Sequence, residues 1–310
     1  MDKEILVVGI ATYKRPKMLK EALESLRLQR VPERVTVNLV VADNQENSDA
    51  QHIMKSFQKD FPFEVQYVCV RERGIVQVRN RILHIALALN ARYLAFIDDD
   101  EIASQDWLLE LLKCQTKYNA HAVEGKVIYK LPKECPNWIV RGKFFGNMSK
   151  LTGSRLKYAC TNNVLIDLNF IRKYGGEFDI RLNHSGGSDT HFFDELRRKG
   201  GLIVRCEEAT TLETVPVSKV NEKWILQRAF KSGVTAHIRN SIRLGKLKGY
   251  LMSVLYIINF MFRLIFKLFR FDFKSKEGRV HMNRDIAMLK GTFHAMLGKR
   301  FEAYKIIHGK

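Results

Sequence analysis

Apolar positions between residue 5 and about residue 100 alternate between short continuous runs and longer segments with helical spacing. Ile5 to Ile10 closes on Thr12-Tyr13-Lys14-Arg15-Pro16. Met18, Leu19, Ala22, Leu23 and Leu26 then recur every three or four positions, which predicts a strand, a turn and a helix. Val35 to Val41 predicts a second strand ending at Ala42-Asp43-Asn44, followed by a helical segment around Ile53 to Phe57 and a third strand from Val65 to Val70. Arg79 to Leu89 places Ile82, Ile85, Ala86 and Leu89 on one helical face, and a fourth strand, Tyr93 to Ile97, stops at Asp98-Asp99-Asp100-Glu101. Strands alternating with helices predict βαβ units, hence an α/β fold with a Rossmann-like, mostly parallel central sheet and helices on both faces. In such sheets ligands bind beyond the carboxyl ends of the strands, where Thr12, Asp43 and Asp98 fall.

From about 120 to 215 the pattern is mixed. Candidate strands at Ala122 to Tyr129, Asn163 to Ile166 and Leu202 to Cys206 are separated by loops rich in Gly and Asn, and this part is expected to form the other side of a cleft. Further on, Gly249 to Phe262 is a run of 14 residues without a charge, short of the roughly 18 needed to span a bilayer. Ser253, Tyr256, Asn259, Arg263, Lys267, Arg270 and Lys274 recur every three or four positions and leave an aromatic and aliphatic face opposite. That pattern suits a helix lying in a membrane interface with Lys and Arg toward anionic headgroups; a buried core helix and a tilted spanning helix are the alternatives. Residues 280–308 also read as helical and basic, with Met282, Ile286, Leu289, Phe293 and Leu297 on one side.

Composition sharpens this division. The 310 residues are 46% hydrophobic and 27% charged, which excludes a disordered chain. A net charge of +19 points toward phosphate, an anionic membrane or nucleic acid. Residues 1–215, however, hold 32 basic and 28 acidic side chains, whereas residues 216–310 hold 20 and 5. A chain that binds nucleic acid along its whole length is therefore excluded in favour of a near-neutral body with a basic appendage. Five widely spaced cysteines without a C-x-x-C pair indicate neither a disulfide framework nor a zinc site. The opening Met1-Asp2-Lys3-Glu4 leads into an apolar run too short for a signal peptide, so a cytoplasmic location is expected.

Four consecutive acids at a strand end repel one another, a cost that persists where a cation offsets it, and carboxylates suit Mg²⁺ or Mn²⁺ held against a substrate phosphate. A solvated turn capping the helix at Trp107 to Lys113 is the simpler alternative, although Asp106 is the more natural helix-start residue. The order Ile10-Ala11-Thr12-Tyr13-Lys14-Arg15-Pro16, Val41-Ala42-Asp43-Asn44, Arg79-Asn80 and Phe96-Ile97-Asp98-Asp99-Asp100-Glu101 resembles the nucleotide-sugar-binding half of the family 2 glycosyltransferases, which have the GT-A fold. Thr161-Asn162-Asn163-Val164-Leu165-Ile166 with Phe178-Asp179, and Gly186-Gly187-Ser188-Asp189-Thr190 with Phe192-Phe193, are similar to that family's acceptor-side segments. Trp224 to Gly233 is similar to the helix that follows.

The resemblance implies a GT-A catalytic domain at 1–215, with a nucleotide-sugar-binding half at 1–115 and an acceptor-side half at 116–215, followed by a helical basic region at 216–310. It implies Asp100 as the direct metal ligand, Asp98 nearer the ribose, and Asp99 within the same donor-binding cluster. Asp43 would accept a hydrogen bond from the base, Thr12 and Arg15 would face base or phosphate, and Arg79 would face the diphosphate. Asp189 stands where the family keeps the catalytic base, although Ser188 replaces the usual acid before it, and Ser188 and Asp189 are also good helix caps. Trp138 could stack on an acceptor sugar or serve as a core or lid aromatic.

The expected activity is transfer of a sugar from a nucleotide-sugar donor to a lipid-linked or envelope glycan acceptor, with inversion and with Mg²⁺ or Mn²⁺ as cofactor. The expected place is the inner face of a membrane, bound peripherally to its anionic surface, with no nucleic-acid partner. A nucleic-acid-binding protein and a catalytically inactive nucleotide-binding relative are the alternatives.

Overall fold

The computed structural model describes residues 3–46, 48–146, 150–268 and 274–299. The N-terminal part consists of β1 (Glu4–Thr12), α1 (Pro16–Leu26), β2 (Val35–Asp43), α2 (Asp49–Phe57), β3 (Glu64–Cys69), α3 (Ile75–Ala88) and β4 (Tyr93–Asp98). These four strands pair in parallel in the order β3-β2-β1-β4. Their side chains explain the layering. Leu6, Val8 and Ile10 of β1 enter one core with Leu19 and Leu23 of α1 and Met54 of α2, whereas Val7 enters the opposite core with Val76, Ile82 and Leu83 of α3. Successive strand residues point to opposite faces, so a continuous apolar run is the signature of a sheet covered on both sides.

The second part contains β5 (Glu101–Ala103), α4 (Trp107–Tyr118), β6 (Ala122–Lys130), α5 (Asn137–Arg141), β7 (Asn163–Asp167), α6 (Leu168–Tyr174), α7 (Ser188–Arg198) and β8 (Ile203–Thr214). It extends the sheet to eight strands, β3-β2-β1-β4-β7-β6-β8-β5. β7 runs antiparallel between β4 and β6, β8 is parallel to β6, and β5 is antiparallel to β8. The expected strands are thus present, with β8 extending well past Cys206. Trp138 is buried against Phe144 with the Lys276 ammonium 4.9 Å above its ring, so it is a core aromatic rather than an exposed stacking platform. All five cysteines are free thiols.

The basic third folds as α8 (Glu222–Leu244), α9 (Lys246–Leu268) and α10 (Lys276–Met296). Asn221 caps α8 by accepting from the Trp224 N–H, and Ser275 caps α10 by accepting from the Gly278 N–H. α8 and α10 cross with their backbones in contact. A Cβ on Gly233 would lie 1.9 Å from the Met288 carbonyl oxygen, and one on Gly291 would lie 2.0 Å from that of Phe230. Val215, Ile225 and Val280 join Trp138 and Ile139 in a third core that fastens these helices to the sheet-bearing body.

α9 meets this pair through part of its polar stripe. Ser253, expected on a stripe facing headgroups, is buried, donating to the Gly249 carbonyl and hydrogen-bonded to Nδ1 of His237 on α8. Tyr256 reaches Met288 of α10 through its hydroxyl. Ser253 and Tyr256 thus find partners on the neighbouring helices, Asn259 and Lys274 are exposed, and the apolar side, with Leu247, Leu251, Leu255, Ile258, Phe262 and the Ile265 position, is turned outward. Arg263, Lys267 and Arg270, expected on the polar stripe, lie outside the described side chains. Among the described residues no helix is long and apolar enough to cross a membrane.

The crossing gives a stability test. Gly233→Val must push α8 off α10, and overpacking of this kind costs about 1–3 kcal/mol or more. A lowered denaturation midpoint is expected in chemical unfolding, and an unchanged midpoint would show that the two backbones are not in contact.

Candidate active site

β4 ends on Asp98, whose backbone pairs with Ala11 of β1, so the acidic turn begins at the carboxyl edge of the parallel strands. Asp99 is buried and accepts from Thr12 Oγ1 at 2.8 Å and from Arg15 Nη1 at 3.0 Å. The same Arg15 nitrogen donates to Asp100 Oδ2 at 3.0 Å. Pro16 starts α1 immediately after, and its fixed φ suits the first helical position, so Arg15 sits at the hinge between strand and helix. Lys219, from the short 3₁₀ turn Val217–Lys219 before α8, places its ammonium 4.0 Å from Asp100 Oδ2 and 3.2 Å from Glu213 Oε1 on β8. Glu213 stands opposite Glu101 in the β5–β8 ladder, and Glu101 accepts from Asn162 Nδ2 at 2.9 Å.

Crowding acids in a cleft raises their affinity for protons. Burial, reinforced by the charge of Asp100 and opposed by Arg79, raises the pKa of Asp98 from 3.8 to about 7. Burial raises that of Asp99 to about 6 against the pull of Arg15. Glu101 and Glu213 are raised as well, in both cases first by burial. Burial works against the Arg15 charge, but Asp99 and Asp100 more than offset it and hold its pKa above the ordinary value.

The cluster is thus short of positive charge, which is the chemistry a divalent cation fits. Among the described residues no three side chains are grouped as a metal cage. Mg²⁺ or Mn²⁺ beside a diphosphate takes one or two carboxylates and fills its remaining positions with phosphate oxygens and water. Asp100 and Asp98 are the carboxylates that could hold it.

Asp189 approaches from α7. The helix follows Gly186 and Gly187, both at positive φ, and a Cβ on Gly187 would lie 2.1 Å from Cγ2 of Thr235 on α8. Gly187 is the capping residue, so Ser188 and Asp189 lie inside the first turn and neither acts as the cap. Asp189 accepts from the Thr190 N–H at 2.7 Å. Arg79 joins the two sides: its charge acts on Asp98, and its Nη1 donates to Ser188 Oγ at 3.2 Å. Cys160, half-buried nearby, feels Asp189, Glu124, Arg79 and Arg228, with desolvation the dominant cause of its raised pKa.

The structure therefore brings Thr12, Arg15, Asp98, Asp99 and Asp100 together and links them through Arg79 to the start of α7. It treats Asp43 differently. That residue is fully buried at the end of β2, with Oδ1 accepting from the Gln45 N–H and Oδ2 accepting from Ser48 and from the Tyr67 hydroxyl. These bonds hold the loop after β2 in shape, and Oδ1, with a single donor, keeps a lone pair for one more. Lys219 and Glu213 escaped the sequence reading because they lie beyond the recognisable motifs, Lys219 within a segment whose charge suggested a membrane; Arg228 lies inside the family-like segment Trp224 to Gly233, which by itself gave it no role.

An eight-stranded mixed sheet with an acidic turn at the end of its fourth strand defines a glycosyltransferase of GT-A type. Residues 7–175 match the family model described as glycosyl transferase family 2, and the chain belongs to that family. It is 33% identical over 228 residues to the succinoglycan biosynthesis protein ExoM of Rhizobium meliloti (strain 1021), covering 74% of this chain and 72% of that one. Among solved structures, the mannosyltransferase PcManGT from Pyrobaculum calidifontis in complex with GDP-Man and Mn²⁺ superposes with a TM-score of 0.62 at 14% identity, over 97% of this chain and 89% of that one. S. aureus TarS 1–349 in complex with UDP gives 0.54 at 16% identity, over 100% and 95%. At such identities these structures establish the fold.

The raised Asp98 pKa predicts a pH signature. The folded chain binds this proton more tightly than the unfolded one, so the associated stability is complete below pH 3.8 and is lost as pH rises through about 7. Asp98→Asn should flatten that part of the stability profile in denaturant titrations of the donor-free protein, and a profile parallel to that of the wild type would refute the assignment.

Proposed function

We propose that the protein transfers a sugar from a nucleoside-diphosphate donor to a hydroxyl of a glycan or glycolipid acceptor, with inversion and with Mg²⁺ or Mn²⁺, while bound peripherally to the inner face of a membrane. The observation that carries this reading is the acidic turn linked through Arg79 to the first turn of α7, where Asp189 stands. Thr12, Arg15 and Asp99 form one hydrogen-bonded unit that orients the donor, and Arg79 faces its diphosphate. Asp189 receives the proton of the acceptor hydroxyl as that oxygen attacks the anomeric carbon from the face opposite the departing diphosphate, so one displacement inverts the centre. A cation held by Asp100 and Asp98 would supply neutralisation of the charge left on the diphosphate.

The relatives support the donor and acceptor classes. ExoM is named for succinoglycan biosynthesis, which favours an envelope or exported glycan, and the two structural neighbours are described with GDP-Man and Mn²⁺ and with UDP. The outward apolar face of α9 supports the membrane. It belongs to a segment with 20 basic and 5 acidic residues, so a second copy would meet it with like charge, whereas an anionic leaflet offers both acyl chains and opposite charge.

Release of nucleoside diphosphate from UDP-, GDP- and dTDP-sugars, with Mn²⁺ and membrane extract as acceptor, is the direct assay. Asp189→Asn should lower turnover about 10²–10⁴-fold with donor binding retained, and Asp100→Ala should remove the response to Mn²⁺. Full activity in both variants, or binding to bare DNA with no response to any nucleotide sugar, would sink the reading. For the membrane, the protein should float with vesicles containing phosphatidylglycerol and less with pure phosphatidylcholine. The double variant Leu251→Glu, Ile258→Glu should stay at the bottom of the gradient with donor affinity unchanged; continued flotation would show that α9 is not the docking face.

A further inference from the structure

Lys219 lies outside the family match, which ends at residue 175, in the turn that links β8 to the basic region. Its ammonium nevertheless points into the cleft, and its side chain is only 14% exposed. It shares Asp100 Oδ2 with Arg15, at 4.0 Å against 3.0 Å, while its nearer partner is Glu213 at 3.2 Å. The carboxylate oxygen best placed to face a divalent ion is thus approached by two protein cations.

The two cations are not equivalent. Arg15 is fixed by hydrogen bonds to both Asp99 and Asp100. Lys219 is a point charge on a flexible four-carbon stem, and its hold on Asp100 is long. An ammonium and a divalent ion repel each other strongly at such range, so an ion that takes Asp100 must displace the lysine. A diphosphate arriving with that ion supplies new anionic oxygens for the displaced ammonium.

We propose that Lys219 is a diphosphate-binding residue that balances Asp100 in the donor-free protein, gives up that oxygen to the divalent ion, and turns to the phosphates of the donor. The inference rests on the transferase reading above and adds a coupling to it. Metal alone has to pay for moving Lys219, whereas metal and nucleotide together do not, so each strengthens the binding of the other by the same factor.

The test separates this role from a merely structural one because its two readouts move in opposite directions. Mn²⁺ binding to nucleotide-free protein is followed by the electron paramagnetic resonance signal of free Mn²⁺, and UDP, GDP and dTDP binding in the presence of Mn²⁺ by titration calorimetry. Lys219→Met should bind Mn²⁺ alone several-fold more tightly. It should bind the nucleoside diphosphate about tenfold more weakly, the loss expected for one hydrogen bond to a charged group, with KM for the donor raised. Lys219→Arg should restore nucleotide binding, and Lys219→Gln should repeat the pattern of Lys219→Met.

Mn²⁺ and nucleotide affinities that fall together, or that both stay at wild-type values, would overturn the role of Lys219 and leave the transferase reading standing. A wild-type protein that binds none of UDP, GDP and dTDP would overturn both.

Discussion

The cleft depends on one short stretch of chain. Only Asp99 and Asp100 separate the end of β4 from the start of β5, yet β4 is the fourth strand of the sheet and β5 the eighth. Three residue steps span at most about 10 Å, whereas four strand spacings in a flat sheet cover about 19 Å. The sheet must curl until its far edge returns to its middle. The same two residues carry the charges that the curl confines, so the geometry that closes the sheet also sets Glu101, Glu213 and Lys219 around Asp98 and Asp100. Arg15 and Thr12, bonded to Asp99, fasten this turn to the end of β1 and make it a fixed point from which the rest of the site is measured.

The basic third is part of the site as well as an appendage to it. Lys219 precedes α8 at the acidic cluster, Arg228 acts on Glu213 and Cys160 from the helix itself, and further along Arg239 lies in the field of Asp189. Lys219, Arg228 and Arg239 of this region therefore lie in the field of carboxylates of the cleft.

Much of this was legible in the sequence. β1, β2 and β4 follow from their continuous apolar runs, because a strand covered on both faces has no polar side to blur its signal, and β3, at the sheet edge, follows from its alternation. The acidic turn was legible because four adjacent charges have no cheap local explanation. The structural part played by Asp43 was not legible, because an acid at a strand end looks the same whether or not Ser48, Gln45 and Tyr67 donate to it. The facing of α9 was not legible either: periodicity separates a polar stripe from an apolar one but does not say which meets the protein, and here Ser253 meets His237 of α8. The bend that brings β5 back to β4 is a property of the sheet order, which no single segment encodes.

The close approach of the α8 and α10 backbones at Gly233 and Gly291 has a mechanical meaning. With no side chains between the two backbones, α8 and α10 cannot slide or roll on a cushion of methyl groups, and they act as one strut. At 1.5 Å per residue the 23 residues of α8 make that strut about 35 Å long. Lys219 precedes one end, Arg228 and Arg239 lie along its length, and the other end leads through Gly245 into α9, which turns back along it. The cations near the cleft and the outward apolar side of α9 are thus carried on one body and keep a fixed distance from each other.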